Sequence, residues 1–307
     1  MHEYSECPLC SSNKIKSIQK INTEDLVKIY KKSLNVDCNQ LLNCEDIYYL
    51  NCSICNLRFF SPAVEGDEVF YSSLQSNEWY YLNDKEEYLN ASTFINPNDI
   101  VLDVGCGQGE FASYVFENDA KFIGLESSEN AKILAKTKGI DILNLTVQNY
   151  ASNNPESVDI VTSFQVLEHV KEPKSFIQAK LKALKSKGIM IIAVPSEDSF
   201  IANVTNGVLN MPPHHLTRWS DETLEFIAIL FDLELISLTH EKVETVHTRF
   251  YWNTVIQSYF LKPKLIDTSF KRKVIGKGAS LVSKFMDIAN IAPKANGHTV
   301  IAVYRKK

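Results

Sequence analysis

The chain has 307 residues, of which 45% are hydrophobic and 22% are charged, and its formal net charge is −5. This composition excludes wholesale disorder, collagen and coiled coil, the length predicts about two folding units, and the negative charge argues against a general nucleic-acid binder. The sequence has no apolar run of the roughly 18 residues that a membrane span needs, and acids and cysteines occupy its N-terminus, where a signal peptide would be basic and then apolar. We therefore expect a cytoplasmic protein without a transmembrane segment.

Four of the seven cysteines form two C-x-x-C pairs, which are Cys7 with Cys10 and Cys52 with Cys55. Two residues between thiolates allow a tight turn to direct both sulfurs at one tetrahedral ion. In a reducing compartment, two such pairs predict a closed, structural four-thiolate zinc site in a zinc-ribbon-like module over residues 1–62. Four unrelated free thiols are the alternative interpretation.

The 41 residues between the two pairs exceed the usual zinc-ribbon spacing, so the module carries an insertion. Asn22 is a helix-capping residue type before an amphipathic run, which predicts a helix within that insertion. Cys38 and Cys44 also lie there, and they are alternative metal ligands.

An aromatic-rich segment follows at residues 63–98. It is interpreted either as a helical connector that packs aromatic rings on the main domain, or as a lid in which Tyr80 and Tyr81 touch a ligand. The sequence does not decide between these two interpretations.

A nucleotide-binding pattern begins at residue 100. The apolar run IVLDV is typical of a buried parallel strand, and it is followed by Gly105, Cys106, Gly107, Gln108 and Gly109 and then by a helical period. Glycines in such a turn allow the backbone to approach a ligand closely and to adopt positive φ.

The second strand of the core ends at Glu126, where an acid is placed to accept hydrogen bonds from ribose hydroxyls. Helices alternate with the strands that follow, which predicts a doubly wound α/β fold with a parallel sheet. The predicted strands are residues 100–104, 122–125, 140–143, 157–164, 188–194, 231–239 and 299–304.

The charge of the glycine turn discriminates between two cofactor classes. Asp103 stands directly before the turn, and a carboxylate there repels a pyrophosphate but attracts a sulfonium or an α-ammonium group. The spacing G-x-G-x-G also differs from the G-x-G-x-x-G of dinucleotide enzymes. Both features favour S-adenosylmethionine over NAD.

Residues 101–109, VLDVGCGQG, resemble the first motif of the class I S-adenosylmethionine-dependent methyltransferases. Residues 158–161 with 166–170, and the turn at 184–188, resemble that family's fourth strand, the loop after it and the turn into its fifth strand. The resemblance covers residues 95–240. It implies a Rossmann-like, seven-stranded, mostly parallel sheet whose last strand is antiparallel, in a methyltransferase domain over residues 99–307.

The same resemblance implies roles for individual residues. Cofactor-binding roles fall on Asp103, Gly105, Cys106, Gly107 and Gly109 for the methionine part and the ribose, on Glu126 and Ser127 for the ribose hydroxyls, on Gln148 and Asn149 near the adenine, and on Gln165 beside the methyl-transfer channel. The cysteine-rich start of the chain is additionally similar to methyltransferases of bacterial sugar and surface-polysaccharide pathways.

Three histidines follow predicted strands at the sheet edge where open α/β folds bind ligands. They are His169 after the fourth strand, and His214 and His215 after the fifth. A hydroxyl acceptor needs a proton acceptor near neutral pKa, and histidine suits that role. Structural hydrogen bonding and catalysis by proximity alone are the alternatives.

We predict that residues 241–296 form a helical cap before the last strand, with helices at 250–260 and 271–288. Residues 260–307 carry eleven Lys or Arg and two Asp, so the cap is basic on an otherwise acidic chain. It is interpreted either as a cap packed on the core with a solvated basic face, or as a surface for an anionic acceptor or an anionic lipid face.

Together these patterns predict a zinc-bearing S-adenosylmethionine-dependent methyltransferase that acts on a small-molecule or saccharide acceptor, such as a nucleotide sugar. The alternatives are an NAD-dependent sugar-nucleotide oxidoreductase and a non-enzymatic zinc-ribbon binding protein.

Overall fold

The computed structural model describes residues 6–75 and 86–307. The strands there are β1 (Ile15–Asn22), β2 (Asp46–Cys52), β3 (Arg58–Ser61), β4 (Ile100–Val104), β5 (Lys121–Leu125), β6 (Ile142–Leu143), β7 (Val158–Phe164), β8 (Leu184–Pro195), β9 (Thr217–Arg218), β10 (Leu233–Lys242) and β11 (Asn296–Lys306). The helices are α1 (Thr23–Leu34), α2 (Glu68–Gln75), α3 (Glu86–Ser92), α4 (Ala112–Glu117), α5 (Glu129–Thr137), α6 (Val147–Asn153), α7 (Pro173–Ala183), α8 (Asp221–Leu230), α9 (Thr248–Phe260) and α10 (Phe270–Ile288).

The larger sheet has seven strands in the order β10-β11-β8-β7-β4-β5-β6. The pairs from β8 through β6 are parallel, and β11 is antiparallel to both of its neighbours. The continuous apolar runs are explained by burial on both faces, since Leu102, Val161 and Ile192 are fully buried. The prediction of a doubly wound, mostly parallel sheet is confirmed.

The smaller sheet has the order β1-β2-β3-β9. Its last strand, β9, follows β8 of the large sheet in the chain. β9 pairs with β3 through Thr217 with Phe59 and Arg218 with Arg58. The predicted module of residues 1–62 therefore shares its sheet with a distant part of the chain.

The helix predicted within the cysteine insertion is α1, and the Asn22 side chain accepts a hydrogen bond from the Asp25 backbone N–H as its N-cap. The aromatic-rich connector contains α2 and α3. Tyr80 and Tyr81, which the lid interpretation places against a ligand, lie outside the described residues.

The cap consists of α9 and α10, close to the predicted helices, but the large apolar residues of α10 are exposed. The buried positions of α10 include Ala279 and Ser283, whereas Phe270, Leu281 and Phe285 are 66 to 81% exposed. The apolar residues of this helix therefore face away from the core. Among the described residues, no helix combines the length and apolarity that crossing a bilayer requires.

Candidate functional site

The glycine turn after β4 has the backbone that its sequence predicts. Gly105, Gly107 and Gly109 have φ of +73°, +56° and +78°. A Cβ atom on Gly105 would lie 2.6 Å from a methyl group of Val166, so the turn passes directly against the loop after β7. The backbone N–H groups of Gly105 and Cys106 both donate to the carbonyl of Leu125, which fixes the turn on β5.

Asp103 lies at the end of β4 beneath this turn, and its side chain is buried. Its Oδ1 accepts a hydrogen bond of 2.7 Å from the Thr162 hydroxyl on the neighbouring strand. A buried carboxylate at this position provides a negative potential below the turn, which suits a cationic ligand group and opposes a diphosphate.

The Glu126 carboxylate, at the end of β5, is held by three backbone N–H groups. Oε2 accepts from Gly107 at 3.1 Å, and Oε1 accepts from Ser127 and from Ser128 at 2.8 Å each. The carboxylate is thus fixed beside the glycine turn, with lone pairs available for the two hydroxyls of a ribose.

Gln148 and Asn149 occupy the first turn of α6, and both are exposed. The helix follows β6, whose Leu143 carbonyl accepts a hydrogen bond from the Glu126 backbone N–H. These two residues therefore lie along the same edge of the sheet as Glu126, one strand farther out.

Gln165 adopts a left-handed conformation directly after β7, with φ of +56°. Its Nε2 donates to Glu87 on α3 at 2.8 Å and to the Thr299 hydroxyl at 3.3 Å. The backbone N–H of Glu87 in turn donates to Glu241 Oε1. Burial, together with the charge of nearby Glu87, raises the pKa of Glu241 to about 7. Sequence reasoning missed this pair of carboxylates because its members lie far apart in the chain.

The three predicted histidines form one compact cluster, with ring centroids 4.5 to 4.8 Å apart. Each Nδ1 has an oxygen partner: the His214 carbonyl for His169, the Leu209 carbonyl for His214, and Asn210 Oδ1 for His215, at 2.6 to 2.9 Å. Because these oxygens accept hydrogen bonds, each Nδ1 carries the proton and each Nε2 keeps a lone pair.

Burial keeps these imidazoles neutral. It lowers the pKa of His169 to about 4 and that of His214 to about 3, and it lowers the pKa of His215 well below its ordinary value. At neutral pH the rings therefore act as hydrogen-bond acceptors or as ligands rather than as cations.

Glu168 completes the cluster, and the sequence analysis assigned it no site role. It is buried, and its Oε1 lies 4.0 Å from Nε2 of His169 and 3.9 Å from Nε2 of His215. The Tyr71 hydroxyl of α2 lies 3.2 Å from Nδ1 of His169. Glu168 could have been predicted from its position next to His169 after a strand. Nothing in the sequence around Tyr71 indicates its contact with His169.

The histidine loop is supported by the N-terminal part of the chain. The Tyr30 hydroxyl donates to the carbonyls of Val208 and Met211, and the backbone N–H of Gly66 donates to the carbonyl of Pro213. The module thus holds the segment that positions His214 and His215.

The four predicted metal ligands converge in the structure. Cys7 Sγ lies 3.5 Å from Cys55 Sγ, Cys10 Sγ lies 3.6 Å from Cys52 Sγ, and all four sulfurs lie within 4.8 Å of one another. Four sulfurs at about 2.3 Å from a tetrahedral zinc ion would be about 3.8 Å apart, so the cluster fits that ion.

Both cysteine pairs have the same turn. The residue after each second cysteine, Ser11 or Asn56, has φ near +60° and donates its N–H to the carbonyl of the first cysteine. The hydrogen bond between Cys7 and Cys55 lowers the pKa of the Cys7 thiol and raises that of the Cys55 thiol, so the two sulfurs share a proton that a metal ion would displace. Cys38 and Cys44 lie in a separate apolar cluster and do not join the four.

Residues 78–238 match a family model described as a methyltransferase domain. The chain is 35% identical over 94 residues to a ubiquinone biosynthesis O-methyltransferase of Idiomarina loihiensis, and this alignment covers 29% of this chain and 39% of that protein. It is 30% identical over 145 residues to the protein of the same name from Klebsiella pneumoniae, which covers 40% of this chain and 60% of that protein. The chain thus spans less than two thirds of the length of these relatives.

Among solved structures, the chain resembles a SAM-dependent methyltransferase from Archaeoglobus fulgidus. The TM-score is 0.46 at 17% identity, and the match covers 71% of this chain and 90% of that one.

Proposed function

Because this chain belongs to the methyltransferase domain family, we propose that it transfers the methyl group of S-adenosylmethionine to a hydroxyl of a small acceptor. The observation that carries the proposal is the pair of carboxylates around the glycine turn, Asp103 beneath it and Glu126 beside it. An NAD-dependent enzyme would place a diphosphate at this turn, where the buried Asp103 carboxylate opposes it.

The residues of the turn bind the cofactor in this proposal. Glu126 accepts hydrogen bonds from both ribose hydroxyls, with Ser127 beside it, while Gly105, Cys106, Gly107 and Gly109 allow close approach of the backbone. Gln148 and Asn149 border the adenine, and Gln165 borders the methionine end. When bound, S-adenosylmethionine supplies a methyl group attached to a positively charged sulfur.

The chain's part in the chemistry is to position the acceptor. In an in-line displacement the acceptor oxygen forms the new C–O bond while the C–S pair of electrons returns to sulfur, and the hydroxyl proton passes to the lone pair of a neutral histidine Nε2 or to water. His169, His214 and His215 assist as neutral acceptors of a hydrogen bond from that hydroxyl. Proximity alone is the alternative to this assistance.

The acceptor class rests on similarity. The curated relatives are named O-methyltransferases of ubiquinone biosynthesis, which supports a hydroxyl as the methylated group. A saccharide hydroxyl is the finer proposal from the sequence, and it is supported by the resemblance of the cysteine-rich module alone. Product analysis with methyl-labelled cofactor on a hydroxylated ubiquinone precursor and on a sugar acceptor would separate the two.

We further propose that the cysteine cluster binds a structural zinc ion and that the cap binds an anionic partner. Four thiolates leave no open coordination position, so the zinc would stabilise the fold without taking part in transfer. For the cap, the exposed apolar residues of α10 favour an anionic lipid face over a nucleotide sugar, because the ring faces of a nucleotide sugar offer too little apolar surface to cover the whole stripe.

The experiment that tests the cofactor proposal is a thermal melt with and without S-adenosylmethionine. We expect the cofactor to raise the Tm of the wild-type chain and to leave that of Glu126→Ala unchanged, because the variant loses charge-assisted hydrogen bonds worth about 1.5–3 kcal/mol each. The control is Glu129→Gln, three residues along on α5, which should keep the rise. An equal rise in Glu126→Ala would refute its ribose role.

A further inference from the structure

We propose that His169, His214 and His215, together with Glu168, form a binding site for a divalent transition-metal ion, distinct from the cysteine cluster. The ion would be of the class that imidazole and carboxylate ligands prefer, such as Zn²⁺, Fe²⁺ or Co²⁺. Each histidine offers a ring nitrogen, and these three nitrogens lie within 4.8 Å of one another.

The first argument is the orientation of the rings. Metal-binding histidines almost always donate their second N–H to a carbonyl or carboxylate, which fixes the tautomer and aims the other nitrogen at the metal. All three rings here have that outer partner, supplied by the His214 carbonyl, the Leu209 carbonyl and Asn210 Oδ1.

The second argument is the fourth ligand. Glu168 Oε1 lies 3.9 to 4.0 Å from two of the Nε2 atoms. Ligands at about 2.0–2.1 Å from a tetrahedral ion stand about 3.3 Å apart, so the side chains need to move inward by less than about 1.5 Å. A divalent cation in this space would be coordinated by the carboxylate as well as by the imidazoles.

The third argument is that the ligands are held firmly. Glu168 and His169 lie in a 3-10 helix after β7, and His214 and His215 lie in the loop after β8. The two segments are joined by a 2.8 Å hydrogen bond from the Leu216 N–H to the Glu168 carbonyl. The His169 N–H also donates to the carbonyl of Val166, the residue that packs against Gly105.

The position of this site gives the ion a role in the reaction, and this part of the inference rests on the proposed function. With the ion bound, the Nε2 atoms coordinate it and no longer accept a hydrogen bond from the acceptor. The acceptor oxygen would instead be a fifth ligand beside the three histidines and Glu168, and the ion would lower the pKa of that hydroxyl, so that its proton passes to water and the oxygen anion is held toward the methyl group. The acceptor would then be an oxygen compound with at least one hydroxyl able to reach the ion.

The test is a Co²⁺ titration of the reduced full chain as isolated, with its cysteine site filled by zinc. We expect one further equivalent of Co²⁺ per chain, with weak visible ligand-field bands and without the thiolate charge-transfer band that binding at the cysteines would produce. His215→Gln should abolish this uptake, Asn210→Ala should weaken it about 10- to 100-fold, and His240→Gln, outside the cluster, should leave it unchanged.

Absence of further Co²⁺ uptake by the wild-type chain would overturn the proposal without any reference to variants. Equal uptake by wild type and His215→Gln would overturn it as well, provided that the variant keeps its cooperative melt. Melts with S-adenosylmethionine on the same samples separate this outcome from failure of the methyltransferase proposal, because cofactor stabilisation does not require the histidine ligands.

Discussion

Glu87 and Glu241 form a buried pair of carboxylates that the sequence around either residue does not indicate. Both side chains are buried, and they meet beside Gln165 at the proposed methionine end of the cofactor site. Two adjacent carboxylates in an apolar setting cannot both be charged at low cost, so one of them takes up a proton near neutral pH. The pair also faces Thr299, Glu86 and Glu244, of which the acids add to the same effect.

The raised pKa of Glu241, about 7, predicts how stability changes with pH. The folded state holds this proton more tightly than the unfolded state does, so the free energy of unfolding falls as pH rises from about 4.5 to 7. We expect Glu241→Gln to remove most of this decline and to raise stability at pH 8 by about 2–3 kcal/mol. Denaturant melts across that pH range provide the measurement.

The matched control is Glu234→Gln, an exposed glutamate on the same strand that pairs with Arg305 at the surface. It should leave the pH dependence as it is in the wild-type chain. If Glu241→Gln and Glu234→Gln gave the same pH profile, the raised pKa would be wrong.

The candidate site residues that could be named from the sequence are those with a local signal. Asp103, the three glycines and Glu126 stand next to the ends of strands, and the parallel sheet necessarily brings those ends together. Glu87 and Glu241 had no local signal, because each joins the site through contacts with segments far away in the chain. The histidines were predicted individually, but their joint cluster with Glu168 depends on how two loops meet.

At the scale of elements, α10 has an arrangement opposite to that of an ordinary surface helix. Its buried side carries small or polar residues, whereas Phe270, Val274, Leu281, Phe285 and Ile288 are exposed along one stripe. Four lysines, at 271, 273, 277 and 284, are exposed among them. Two copies that paired through this stripe would bring the lysines together, so charge favours an anionic lipid surface as its partner.

Vesicle sedimentation tests this interpretation of α10. We expect the chain to sediment with vesicles of mixed phosphatidylglycerol and phosphatidylcholine and to stay in solution with phosphatidylcholine alone. Replacing Lys277 and Lys284 by Gln should weaken binding at least tenfold, since each basic residue near an anionic surface contributes about 1 kcal/mol.

Leu281→Ser should also weaken vesicle binding, whereas Ile229→Ser should not, although Ile229 of α8 is equally exposed. Sedimentation equilibrium on the same variants tests whether a second copy of the chain covers the α10 stripe instead. A dimer that Leu281→Ser dissociates, without any binding to anionic vesicles, would contradict the lipid interpretation.

The predicted elements of the large sheet agree with the structure because apolar runs and glycine turns define them locally. β7 was predicted at residues 157–164 and is Val158–Phe164. The two-residue strand β9 was not predicted, since it exists only through its pairing with β3. The direction of the apolar stripe of α10 could not be predicted for a related reason: helical periodicity finds an apolar stripe but does not say whether it faces the core or the solvent.

Over the whole molecule, the N-terminal sheet and the large sheet meet at the histidine loop. Arg58 of β3 and Arg218 of β9 both pair with the buried Glu197, which follows β8, and Tyr49 of β2 donates its hydroxyl to the same carboxylate. Metal bound at the cysteines would therefore stabilise a module that packs against the histidine loop, not an independent domain. The cysteine-rich module therefore contacts the loop that carries His214 and His215.

The most direct measurement for the central claim is isothermal titration calorimetry on folded, ligand-stripped chain with three ligands. We predict heat of binding with S-adenosylmethionine and with S-adenosylhomocysteine, and none with NAD. Heat with NAD and none with either adenosyl ligand would contradict the assignment of the glycine turn between Asp103 and Glu126.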